Sequence, residues 1–149
     1  MATTITPGTL NVSIEEDITY DGTRRTTRAT HSIASVTDIF RRTFTLTTAS
    51  VTVLNLTSGD SSGTFIHANV RYLRITNRDN ANTVQMSTKA ASDDAWFALK
   101  PGESFVLWNQ PQIDADNSAI SSPTLGNIIR IDAKAAANTA DIDVVVASV

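Results

Sequence analysis

Val70-Arg71-Tyr72-Leu73-Arg74-Ile75-Thr76 leads into Asn77-Arg78-Asp79-Asn80-Ala81-Asn82, and the chain resumes as Val84 to Thr88. The first segment is dense in β-branched and aromatic residues, which fit a pleated, half-buried surface. The second is dominated by Asn and Asp, whose short side chains favour turns. The unit reads strand, turn, strand, and the same alternation extends in both directions.

Towards the C-terminus, Trp96 to Leu99 is followed by Lys100-Pro101-Gly102-Glu103 and then by Ser104 to Trp108. Pro presets φ and Gly permits φ > 0, so residues 95–108 are expected to form a β-hairpin. After the irregular stretch Gln110 to Gly126, Asn127 to Lys134 and Ala140 to Ser148 supply two closing strands around Asn138-Thr139. Towards the N-terminus, Phe40, Phe44 and Leu46 alternate with Arg41, Thr43, Thr45 and Thr47. Val51 to Leu56 is a further β-branched strand, and Ser58 to Gly63 is a loop. Leu10, Val12, Ile14, Ile18 and Tyr20 share one parity, broken only by Glu16, which predicts a half-buried strand ending at the Asp21-Gly22 turn. Thr23 to Thr30 carries no apolar row and reads as an exposed strand edge or an arm.

Composition agrees. The 149 residues include 22 Thr, 14 Ser and 10 Asn against 3 Lys and 3 Glu. Thr favours strands while Lys and Glu favour helix surfaces, so composition nearly excludes a helical bundle. The expected fold is all-β, a single antiparallel β-sandwich over 1–149 with about eight to ten short strands, and with 1–8 as an extended N-terminal arm.

With no Cys there is no disulfide, thiolate metal site or cysteine nucleophile. The start, Met1-Ala2-Thr3-Thr4-Ile5-Thr6-Pro7, lacks the basic and apolar regions of a signal peptide, so synthesis in a cytoplasm is expected. Apolar runs such as Val144 to Ala147 are far too short to cross a bilayer, and no membrane association is expected. Charge divides unevenly: residues 1–78 hold 8 Arg against 6 acids (+2), and residues 79–149 hold 4 bases against 9 acids (−5), which sums to −3. Such a split suits faces of opposite sign or docking on a charged lattice, although a sandwich can acquire it by chance.

The chemistry-bearing residues are sparse. His31 and His67 lack a second ligand at i+2 or i+4, and no Gly-x-Ser-x-Gly elbow is present. No catalytic, metal or cofactor residues are assigned. Asp114-Ala115-Asp116-Asn117-Ser118 offers spaced oxygens but lacks the Gly and Glu of an EF-hand, so a solvated acidic loop is the better reading. Arg24, Arg25, Arg28, Arg41 and Arg42 form two basic clusters and are the candidate interface residues. The acidic balance argues against nucleic acid, and Arg in place of Lys suits partly desolvated ion pairs at a protein interface, with a solvated charged face as the alternative. Trp96 and Trp108 bracket the Pro101-Gly102 turn and read as core, with exposed stacking platforms as the alternative.

The block Val70 to Asp79, the stretch Leu99-Lys100-Pro101-Gly102-Glu103-Ser104-Phe105-Val106-Leu107, and the tail Ile131 to Ala135 followed by Ala140 to Val144 resemble small virion structural proteins of tailed bacteriophages. In that family a "YLRITN" strand is followed by an acidic-polar turn, a hairpin closing on "PGESF" and a final Ala-rich hairpin. The resemblance implies a jelly-roll-like sandwich without enzymatic activity on the outside of a capsid. It implies a decoration (cement) protein, commonly a homotrimer, that clamps neighbouring major capsid subunits. The alternatives are a tail, baseplate or fibre component that binds a host surface, or a carbohydrate-binding module with Trp96, Trp108 or Tyr72 on an open sheet face.

Overall fold

The computed structural model describes residues 5–57, 64–90, 94–108 and 128–149. Every regular element among them is a strand. Two strands stand apart: among the described residues β1 (Gly8–Tyr20) and β2 (Thr23–Val36) pair only with each other, as a long antiparallel ribbon. The other nine build a sandwich. One sheet has the order β3 (Asp38–Leu46), β11 (Ala140–Ser148), β6 (Val70–Asn77), β9 (Ser104–Trp108). The facing sheet has the order β5 (Phe65–Ile66), β4 (Val51–Thr57), β10 (Arg130–Ala135), β7 (Val84–Lys89), β8 (Asp94–Leu99).

The core lies between the sheets. Leu46, Leu73, Ile75, Ile142, Val144 and Val146 face inward from one sheet, and Met86, Val84, Ile131 and Ala133 from the other; all are essentially excluded from water. Burying each large aliphatic side chain contributes roughly 1.5–3 kcal/mol. The run Val144 to Ala147 breaks the alternation because β11 is covered on both sides. Val144 and Val146 point into the core, while Ala147 and Val145 lie beneath the foot of the β1–β2 ribbon.

Within the sandwich, the turns at Pro101-Gly102 and Asn138-Thr139 do not close hairpins within a sheet. β8 pairs with β7 and β9 pairs with β6, so the Pro101-Gly102 turn carries the chain from one sheet to the other, against the expected 95–108 hairpin. β10 and β11 are likewise in opposite sheets. The reason is the apolar face each strand must bury: Phe97 and Phe105 meet across the layers with ring centroids 4.6 Å apart, a contact that a flat hairpin would not allow. The turns are held by polar detail. Asn77, fully buried at the end of β6, donates through Nδ2 to the carbonyls of Asn82 (2.9 Å) and Leu99 (3.0 Å). Its backbone carbonyl accepts from the Gly102 N–H, and its N–H donates to the Glu103 carbonyl. Gly102 has φ of 78°, which glycine tolerates without a Cβ penalty.

Candidate interaction surface

The β1–β2 ribbon begins at the body and leaves it. Ser35, with φ of 60°, sits at the register shift that follows the Gly8–Val36 pair, and the resulting bulge lets both Ile33 and Val36 face the sandwich. They pack with Leu10 and Val12 against Tyr72, Trp108, Ala147 and Val145. Beyond that foot the ribbon continues from Ser13 to Tyr20, about 25 Å at the usual strand rise. It closes at Asp21-Gly22, whose φ values of 48° and 72° match a type I′ turn.

Over this outer length the two faces differ sharply. Asn11, Ser13, Glu15, Asp17 and Thr19, with Arg24, Thr26, Arg28, Thr30 and Ser32, form a polar face. Ile14, Ile18 and Tyr20 with Ala29 form the other, interrupted by Glu16 and Arg25. Ile18 is 57% and Tyr20 74% exposed. The strand expected to be half-buried is therefore buried only at its foot, because no second layer among the described residues covers the outer rungs.

The five arginines are not brought together. Arg24 and Arg28 lie on the polar face of the ribbon: Arg24 donates to both Asp17 carboxylate oxygens (2.6–3.0 Å), and Arg28 reaches Ser13 Oγ at 3.4 Å. Asp17 holds the Arg24 guanidinium above its ordinary pKa by accepting these bonds. Arg25 lies on the opposite, apolar face. Arg41 points to the outside of the four-stranded sheet, where it shares the buried Asp143 carboxylate with Arg74. Arg42 points the other way and stands 4.7 Å from the Phe44 ring centroid. That position borders a cleft of about 380 Å³ between β3 and β4–β5, floored by Phe40, Phe44 and Phe65. The uneven charge of the two chain halves is largely interleaved here, since Arg-bearing β3 and β6 flank Asp-bearing β11.

Trp96 corrects the core expectation. Phe97 and Leu99 take the inward positions of β8, so Trp96 and Ala98 point outward, and Trp96 is 56% exposed. Trp108 is half-buried at the ribbon's foot, beside His31 at 6.1 Å between ring centroids. His67 sits in the turn between β5 and β6. Among the described residues no group of His, Cys, Asp and Glu could hold a metal ion, and no helix is long and apolar enough to cross a membrane. The Asp114-Ser118 segment lies outside the described residues.

Compared with protein-family models, curated proteins and solved structures, the chain matches none. Ile14, Ile18 and Tyr20 are a surface that period two alone does not reveal, because alternation fits a buried and an exposed apolar face equally. The signal that could have found them was the strand that follows: Thr23 to Thr30 has no apolar row to complete a core, so the pair had to form a ribbon with one greasy face.

Proposed function

We propose that this chain is a non-enzymatic virion structural protein, a capsid decoration or cement protein. Its sandwich caps the outer surface of a phage head, and its β1–β2 ribbon grips neighbouring major capsid subunits. The carrying observation is the outer ribbon, with Ile14, Ile18 and Tyr20 exposed in line with the Leu10 and Val12 that the same face buries at its foot. A two-stranded ribbon is marginal in water by itself, so an apolar row along it favours a partner. Self-association as a homotrimer belongs to the same proposal.

Strand order supports the jelly-roll reading. If the eight main body strands are renumbered in chain order, the sheets run 1-8-3-6 and 2-7-4-5. This is the order produced when a long paired ribbon folds into two Greek keys, an architecture common in viral shells. The virion role rests on the sequence resemblance, and the ribbon gives that role a physical means.

Cryo-electron microscopy of the parent particle tests the proposal. Density for this chain on the shell, lost with Ile18→Asp/Tyr20→Asp protein added back to stripped particles, is the expected result. Density at the tail tip would instead select the tail, baseplate or fibre alternative.

A further inference from the structure

The outside of the five-stranded sheet carries a site unrelated to the ribbon. Register places Trp96, Ser87 and Asp132 in one row across β8, β7 and β10, and Ala98, Gln85 and Lys134 in the next. The row on the other side of Trp96 holds Asp94 and Lys89, which form an ion pair. Lys89 Nζ stands 5.4 Å from the Trp96 ring centroid, so a paired cation braces the indole from one side. On the opposite side, Trp96, Ala98, Gln85 and Lys134 line a shallow recess of about 370 Å³.

The recess has the parts of a sugar subsite. A flat, exposed indole offers a π-face to the C–H face of a saccharide ring. Ala98 leaves room beside it. The Gln85 amide can both donate and accept. Lys134 makes no ion pair among the described residues and supplies a cation at the far wall. Ser87, in the Trp96 row, is fully buried and does not line the recess, so the ligand-facing groups are Trp96, Gln85 and Lys134.

We propose that this recess binds a carboxylated pyranose, a uronic-acid unit of an acidic polysaccharide, with the ring stacked on Trp96 and the carboxylate on Lys134. The site lies on the sheet that does not carry the ribbon, so it can fail or succeed independently of capsid docking.

Calorimetric titration of the full chain with trigalacturonate, and with maltotriose as the neutral control, tests this. Saturable binding of the uronate is expected, with quenching of Trp96 fluorescence. Trp96→Ala should weaken it at least tenfold (about 1.4 kcal/mol), and Trp96→Phe should lose less. Lys134→Gln should reduce uronate affinity to that for the neutral sugar. No saturable binding, equal binding of both trisaccharides by the wild type, or binding unchanged in a folded Trp96→Ala variant would each overturn the proposal.

Discussion

Arg74 of β6 donates through Nη2 to Asp143 of β11 at 3.1 Å, although the two are diagonal rather than opposite in register. Arg41 approaches the same carboxylate from β3, at 3.4 Å through both Nε and Nη2. One acid on the central strand thus ties both neighbours together on the outer face. The carboxylate is nearly buried, with its side chain 6% exposed, while Arg41 is 68% exposed. Losing the acid should therefore cost more than losing one base. Asp143→Asn is expected to destabilise the sandwich by about 1–3 kcal/mol, because Arg74 is left beside a weaker acceptor and its Nε already has no partner among the described residues. Arg41→Ala should cost no more than about 1 kcal/mol, as exposed pairs do. Urea denaturation of the two variants checks the order.

Asn77 serves three connections at once, so its replacement should be felt across both sheets. Asn77→Ala would leave the Leu99 and Asn82 carbonyls without their donor and the Asp79 N–H without the Oδ1 it now reaches at 3.0 Å. A loss of about 2–4 kcal/mol follows, since buried polar groups without partners lose their desolvation energy in full. Asn77→Asp keeps the acceptor but removes the donor, and should also destabilise. Equilibrium unfolding of both variants is the measurement.

These contacts explain what the sequence made legible. Strand positions followed from parity wherever one face was covered and the other wet, as along Phe40 to Leu46. The turns at Asn77–Asn82 and Pro101-Gly102 were visible from residue type alone. What the turns joined was not visible, because a Pro-Gly turn fits a hairpin within one sheet and an arch between two equally well. The difference lies in Asn77 and in the Phe97–Phe105 contact, both long-range in sequence. The stretch that carried the family resemblance includes this turn framework, so it speaks more directly of fold than of function. Trp96 departs from the core expectation for a related reason: its parity is clear, but which parity faces inward depends on the sheet to which β8 belongs.

Asp79 gives the protein an acid-sensitive turn. Its carboxylate accepts from the backbone N–H groups of Asn82 (2.6 Å) and Ala81 (2.8 Å), and these bonds hold it below the ordinary aspartate value of 3.8. A folded-state pKa below the unfolded one contributes stability that is present above the ordinary value and lost as pH falls through the folded value. Wild type should thus melt at a higher temperature than Asp79→Ala at neutral pH. The gap should close as pH drops below 3.8. Calorimetric melting of both proteins from pH 7 to pH 2 checks the closure.

The ribbon should behave as a unit separate from the body it grows from. Its foot is anchored by Ile33 and Val36, both buried against Tyr72 and Ala147, whereas the rungs from Ser13 to Thr30 have water on both faces. Hydrogen exchange on the free chain should show this as slow amides through β6, β7, β10 and β11 and fast amides in the outer ribbon. Gly22 makes the distinction testable. A Cβ added there would meet nothing within 4 Å, so Gly22→Val acts only through its φ of 72°, where a β-branched residue is strained. The substitution should speed exchange in the outer rungs severalfold while leaving the body's melting temperature within about a degree. Were the body to melt earlier by several degrees, the outer ribbon would have to be part of the cooperative fold, and its apolar row would need an intramolecular explanation rather than a partner.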